Sequence, residues 1–401
     1  MTLSESSPSA LLDLSLMPAT GDSEVADFHE IVADLRERHP VAPVNFHGQT
    51  AFLLTRHDDV LEGFRMEETF NLREMHKVAT FPTMGENIMG MEGEQHRIHR
   101  ELVSLPFRAR TVSELADTVL RPLCLGIIDD FEQDGEADLM EQFARRLPVA
   151  AIARLLGLPE HPDLEKWALA FITYQWDPEN SLESAKAFTA FLREVVEERR
   201  RHPGDDMISR LFAAQIDGEA LDDETLLTFV RLLFPTGADT TYLGVGSMLY
   251  ALIKHPEVVD GLRASAASRA QFVEESLRWE SPVGAMPRIC VEDTMFHDEP
   301  IPAGAYVLLG ITCANRDPAV FSDPDRFDPE RDSRRHLTFG LGRHFCLGAP
   351  LARAEMLVSL ECVLERFDRL ELRSEPRFVG TLMRGPDRLD VAFDTRPGSG
   401  R

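Results

Sequence analysis

Phe339-Gly340-Leu341-Gly342-Arg343-His344-Phe345-Cys346-Leu347-Gly348 is the stretch on which the reading of this sequence turns. Three glycines surround one cysteine, so the backbone can bend tightly and bring N–H groups close to the sulfur. Ala349-Pro350 follows, and proline suits the first turn of a helix, where its missing N–H costs little. N–H donors and a helix N-terminus together stabilise a thiolate, and a thiolate can ligate a metal. Without further context the plainer reading is an inert buried cysteine in a glycine-rich turn.

Outward from this loop, a last helix is expected from Pro350 to Phe367, then short strands near Leu370–Leu372 and Leu389–Phe393. Upstream, Glu275-Ser276-Leu277-Arg278 places two opposite charges three apart, on one helix face. Alone, that spacing describes a surface ion pair. Leu232–Ile253 reads as a long buried helix with an odd centre, Phe234-Pro235-Thr236-Gly237-Ala238-Asp239-Thr240-Thr241. Proline there removes a hydrogen bond and kinks the helix. Asp239 and Thr240 then set a carboxylate beside an alcohol. His96 and Arg100, four apart, share a helix face.

Helices are expected near 94–104, 111–133, 138–156, 162–175, 181–201, 205–215, 222–253 and 256–280, separated by breakers such as Pro106, Gly135, Pro159 and Pro203. Asp27–Arg38 has helical periodicity. Pro43–Thr55 reads as a hairpin turning at His47-Gly48-Gln49, and Thr294–Gly310 as a second, turning at Pro302-Ala303-Gly304. The fold class expected is mainly α with small β sheets: a loose segment over 1–22, then one domain over 23–401.

The chain has 401 residues, 43% hydrophobic and 27% charged, enough for a large core. Its 42 basic and 68 acidic residues leave a net charge of −26. Such a body repels phosphate backbones and anionic lipid, so neither nucleic acid nor a membrane surface is an expected partner. Five scattered cysteines without a C-x-x-C pair read as reduced thiols of an intracellular protein. No basic-then-apolar leader and no uncharged run long enough to span a bilayer is read, so the expected location is cytoplasmic.

F-x-x-G-x-H-x-C-x-G, with Ala349-Pro350-Leu351-Ala352-Arg353-Ala354-Glu355 behind it, resembles the haem-binding loop of soluble bacterial cytochromes P450. Further motifs follow in family order along nearly the whole chain. The resemblance implies haem b buried between the kinked helix and the cysteine loop with its last helix. It makes Cys346 the axial iron ligand, with Phe339, Gly340, Gly348 and Gly237 against the cofactor. His96, Arg100, Arg288 and His344 are the implied propionate partners. Glu275 and Arg278, joined by Arg331 of Phe327-Asp328-Pro329-Glu330-Arg331, are an implied structural brace.

Gly237, Asp239 and Thr240 match the oxygen-binding kink; Thr240 is expected to donate to dioxygen and Asp239 to relay protons. Pro235 and Thr236 depart from the small pair common there. By resemblance the substrate wall takes Met84, Ile88 and Met89, then Phe171 and Trp176. Leu233, Phe234 and Thr236 come from the kinked helix, Val283, Ala285 and Met286 after the E-x-x-R helix, and Leu382 and Met383 near the C-terminus. Apolar lining and adaptable methionines imply a small to medium hydrophobic substrate.

The implied reaction is hydroxylation or epoxidation with O2. Electrons would come from NAD(P)H through a reductase and a ferredoxin-type protein. No flavin or nicotinamide is expected on this chain, and a monomer is expected. A peroxide-driven peroxygenase and a non-catalytic haem or ligand-binding protein are the alternatives; the Asp239-Thr240 pair speaks against both. Arg97, Arg108, Arg110, Arg334, Arg335 and Arg353 are expected to form a basic patch for an acidic ferredoxin, unless local acids pair with them.

Overall fold

A computed structural model of the chain describes residues 11–19, 21, 23–216 and 219–396. The helical tract is present, and capping chemistry explains several of its boundaries. α1 is Phe28–Arg38, α2 Gly93–Ser104, α3 Arg146–Leu156, α4 Leu164–Ile172, α5 Pro178–Arg201, α6 Asp223–Lys254, α7 Ala266–Trp279, α8 Ile311–Asn315 and α9 Ala349–Arg366. α5 starts earlier than periodicity suggests. Pro178 sits in its first turn and Asp177 caps it by accepting from the Asn180 N–H. The stretch read as one helix over 256–280 is broken at Ser265, which accepts from the Ser268 N–H and starts α7. The stretch over 111–133 is interrupted by one wide turn at Ala116–Leu120.

α6 is the axle of the molecule. It is apolar on nearly every side, so it must be surrounded. Asp222 caps it, and Pro235 lies inside it. α3, α4 and α9 pack on it.

Strands β1 (Val41–Phe46), β2 (Gln49–Leu54), β3 (Phe70–Asn71), β4 (Ala285–Cys290) and β5 (Tyr306–Gly310) form one sheet in the order β1-β2-β5-β4-β3. The first hairpin turns at His47-Gly48, both with positive φ, as a two-residue turn requires. The second differs from expectation. Thr294–Phe296 pairs with Glu299–Ile301 around a tighter turn carrying His297 at φ 52. β5 lies beyond Gly304; it pairs antiparallel with β4 and parallel with β2. Phe367–Leu372, Asp390–Thr395 and Glu136–Asp138 make a second, three-stranded sheet.

Of the segment expected to be loose, residues 1–10, 20 and 22 lie outside the described residues. The part in view is packed. Leu14 and Met17 are buried, and Asn45 of β1 exchanges backbone hydrogen bonds with Leu12 and Leu14. The Thr381 and Leu382 N–H groups both donate to the Leu16 carbonyl. Among the described residues, no helix is long and apolar enough to cross a membrane.

Glu275 and Arg278 are no surface pair: both side chains are 0% exposed. Arg278 grips Glu275 through two N–H donors at 2.7 and 2.8 Å, and it also donates to the carbonyls of Asn315, Pro324 and Arg326. Arg331 Nε donates to Glu275 Oε1 at 3.2 Å. The Asp328 N–H and the Ser333 hydroxyl donate to the same carboxylate. One buried acid thus fixes α7 to the meander over 315–333 that leads into the cysteine loop.

Candidate active site

The loop over 339–348 closes on itself, with the Cys346 N–H donating to the Phe339 carbonyl at 2.9 Å. Gly340 and Gly342 hold φ of 70 and 79, a region that side chains avoid. At Gly342 a Cβ would also meet Glu67 Oε1 at 2.8 Å. The Cys346 sulfur faces the N–H groups of Gly348 and Ala349, at the start of α9. Burial pushes its thiol up; those N–H groups and the cations Arg100 and Arg353 oppose the shift. The residue is nonetheless exposed on one side. A cation at the sulfur would tip this balance to thiolate.

The loop is also clamped from outside. The Arg353 guanidinium lies 4.3 Å from the Phe339 ring centroid. Glu274 holds Arg353 at 2.5 and 2.9 Å and accepts from His336 Nε2 at 3.1 Å. Burial pushes the Glu274 carboxyl up, but His336 and Arg353 outweigh it and hold it at about 2. Sequence reasoning missed Glu274 and His336. Their only local signal is adjacency to Glu275 and to the loop.

His96, Arg100, Arg288 and His344 converge beside this loop. The His96 and His344 rings meet edge-on at 4.7 Å. Arg100 donates to the Phe345 carbonyl. Arg288 is buried, and its one hydrogen bond among the described residues goes to the neighbouring Pro287 carbonyl. His96 Nε2 is buried without a partner. The group has no free acid: Glu67, the carboxylate felt by Arg288, is ion-paired to Arg343. Burial lowers Arg288 to about 10. Burial, then His96, Arg288, Arg343 and Arg100, push His344 down to about 3. Such a cluster matches a ligand carrying two carboxylates. Among the described residues no set of three or more His, Cys, Asp and Glu side chains could hold a bare metal ion. A metal at Cys346 would have to bring most of its own ligands, as a haem iron does.

On α6, Thr236 and Thr240 share one face, being four apart. Thr236 Oγ1 donates to the Leu232 carbonyl at 2.7 Å, which satisfies the hydroxyl within the helix. The Thr240 hydroxyl is half-buried and makes no hydrogen bond among the described residues. Asp239 faces elsewhere. It lines a small cavity with Arg145, Glu165 and Tyr242, beside α4. Burial raises its carboxyl to about 7, against the opposing pull of Arg145. A Cβ on Gly237 would meet Ile152 Cγ1 of α3 at 2.9 Å. Its smallness lets α3 approach α6 closely, and the residue keeps a partly exposed surface.

The expected substrate wall divides. Met84, Phe171 and Phe234 are 0% exposed, so no water-sized space touches them. The rings of Phe171 and Phe234 instead pack on Phe188 of α5, at 5.5 and 5.1 Å. Trp176 donates to the Ser15 carbonyl and meets the His47 ring at 4.7 Å. These four serve the core and the N-terminal segment. Ile88, Leu233 and Ala285 are also buried. Met89, Val283, Met286, Leu382 and Met383 are partly exposed. Val283 bridges to Met383, and Met89 shares a cleft with Arg288 and His344.

Four of the six arginines expected in a basic patch have local partners: Arg97 with Glu94 and Glu101, Arg110 with Glu114, Arg334 with Asp332, and Arg353 with Glu274. Arg108 and Arg335 remain exposed. The patch is much weaker than the bare charge count suggests.

Comparison with known proteins agrees with this geometry. The family model described as Cytochrome P450 matches residues 149–266 and 270–393. The chain is 32% identical over 399 residues to 6-deoxyerythronolide B hydroxylase of Saccharopolyspora erythraea, covering 93% of this chain and 98% of that protein. It is 37% identical over 349 residues to erythromycin C-12 hydroxylase of the same organism, covering 84% and 86%. The structure of a cytochrome P450 from Chondromyces apiculatus superposes with a TM-score of 0.84 at 31% identity, covering 96% of this chain and 98% of that one. A fold built on a proline-containing axial helix, a cysteine cradled at a helix start and these matches lead to one conclusion: the chain belongs to the cytochrome P450 family and is a P450 monooxygenase.

Proposed function

We propose that this enzyme would hold haem b through the Cys346 thiolate and that it hydroxylates or epoxidises a small to medium hydrophobic substrate. The supporting observation is the convergence of His96, Arg100, Arg288 and His344 beside the Cys346 loop with no free acid among them. Two propionates would neutralise that cluster. When bound, a thiolate-ligated haem iron supplies reductive activation of dioxygen: R–H, O2, two electrons and two protons become R–OH and water. The relatives named for hydroxylating 6-deoxyerythronolide B and erythromycin favour a substrate at the bulkier end of the range.

The protein's own part is proton and electron traffic. Asp239 takes protons at the cavity shared with Arg145 and Glu165, and a pKa of about 7 suits both accepting and releasing them. Thr240, whose hydroxyl makes no hydrogen bond among the described residues, would serve as a proton donor in the reaction. Electrons come from NAD(P)H through a reductase and a ferredoxin-type protein that docks at the cysteine loop, where Leu341 and Phe345 are exposed. A cytoplasmic location and a monomeric state belong to the same proposal.

The reduced protein under carbon monoxide is expected to show the strongly red-shifted Soret band of a thiolate-ligated haem. A band typical of histidine ligation would overturn the Cys346 assignment. Thr240→Ala is expected to keep consuming NADH while product per NADH falls about tenfold or more and hydrogen peroxide accumulates. Unchanged coupling removes Thr240 from the relay.

Asp239 also carries a stability signature. Its folded pKa is raised from 3.8 to about 7, so the folded state binds the extra proton in that window. Stability therefore falls as pH rises from 3.8 to about 7, and the penalty is complete above it. Asp239→Asn is expected to flatten that slope in thermal unfolding followed across pH. An unchanged slope would place the titration elsewhere.

A further inference from the structure

Glu280 directly follows α7 and belongs to none of the groups above. It is 6% exposed, and side chains from three other parts of the chain reach it. His29 Nε2 of α1 lies 2.5 Å from Oε1, and Arg316 Nη2, just past α8, donates to the same oxygen at 2.9 Å. Arg384 Nε lies 3.5 Å from Oε2. Burial pushes the Glu280 carboxyl up, but His29, Arg316 and Arg384 outweigh it and hold it at about 2.

The Arg384 end of this cluster reaches the substrate side. Its Nη1 donates to the carbonyls of Phe378 and Gly380, both at 3.2 Å. Its guanidinium lies 4.6 Å from the Phe28 ring centroid. Its backbone N–H donates to Pro282, and the Gly284 N–H donates back to Leu382 at 2.8 Å. The approach is so close that a Cβ on Gly284 would fall 1.9 Å from the Thr381 carbonyl oxygen. Leu382 and Met383 are therefore presented on a turn whose buried cation, Arg384, is ion-paired with Glu280 at 3.5 Å.

We propose that Glu280 is a positioning residue for substrate recognition: by holding Arg384 it fixes the Leu382–Met383 turn against Val283 and sets the shape of that pocket wall. This rests on the reading that the turn faces the substrate. Arg316 shares the carboxylate but binds no part of the turn; its other side-chain contacts are the Trp279 carbonyl and ring and Asp325. It is the internal control.

The test titrates purified holoenzyme with two haem-iron ligands, imidazole and 4-phenylimidazole, following the Soret shift. In Glu280→Gln and Arg384→Gln, 4-phenylimidazole is expected to bind about tenfold more weakly, the scale of one lost apolar contact. Imidazole, too small to reach the wall, is expected to bind as in wild type. Arg316→Gln is expected to lower the unfolding temperature and leave the ratio of the two affinities unchanged. Arg384→Gln decides the matter if Glu280→Gln fails to fold, because Glu280 there keeps His29 and Arg316. Equal losses for both ligands, or the same selective loss in Arg316→Gln, would reduce the cluster to general stability and overturn the proposal. A wild type lacking the thiolate Soret band removes the haem reading and the proposal with it. A wild type that has the band, with variant affinities unaltered, removes the proposal alone.

Discussion

Cys346→Ser is expected to abolish turnover and the red-shifted carbon monoxide band together, while leaving the loop in place. What shapes the loop is its backbone: the positive φ of Gly340 and Gly342 and the bond from the Cys346 N–H to the Phe339 carbonyl. None of these involves the sulfur. A serine would receive the same N–H groups of Gly348 and Ala349, but its hydroxyl stays protonated and donates far less charge to a metal. Loss of an outer-shell partner costs a metal site roughly 10–100-fold, and loss of the ligand itself must exceed that. Turnover measured with any accepted substrate, alongside the Soret spectrum, checks the result. Retained activity with the thiolate band gone would show that the sulfur is not needed for the chemistry.

Glu275→Ala is expected to be the most damaging substitution for stability. It strips both acid oxygens from Arg278, which is 0% exposed, and removes the shared partner of Arg331, Ser333 and the Asp328 N–H. Breaking a buried ion pair from one side costs about 3–5 kcal/mol, because the remaining charge is left without compensation. The measurement is denaturant unfolding of the holoenzyme. Glu275→Gln, which keeps the shape and one acceptor, is expected to fall between wild type and Glu275→Ala. A loss below about 1 kcal/mol for Glu275→Ala, the scale of an exposed pair, would mean that the network is solvated in practice.

The contrast between these two sites explains what could be read in advance. The cysteine loop was legible because its chemistry is local: glycines at the turns, a sulfur, a proline starting α9. Helix boundaries were legible only in part: Asp222 marks the start of α6 as expected, whereas periodicity alone did not reveal the caps Asp177 of α5 and Ser265 of α7. Burial of Glu275 and Arg278 was not legible, since a pair three apart looks alike in water and in a core. Glu274, Glu280 and Arg384 were invisible because their partners lie tens to hundreds of residues away. The substrate wall misled for a related reason. Phe171 and Phe234 have the composition of a pocket, yet Phe188 takes up their faces, and no spacing rule announces that neighbour. β5 was misplaced because turn residues mark where a strand begins but not which strand it joins.

The hydrogen bonds from Thr381 and Leu382 to Leu16 also have a consequence in time. Asp13 and Thr381, joined by a hydrogen bond in the same junction, are 368 positions apart in the chain. A growing polypeptide emerges from its N-terminus, and contacts of such long range are the slow ones to form. The first turns of this protein must therefore wait, without their partner, until residues 381 and 382 have been made. The Leu382–Met383 wall can be completed only after both of these segments have left the ribosome. The packing of this junction is thus expected to be among the late steps of folding.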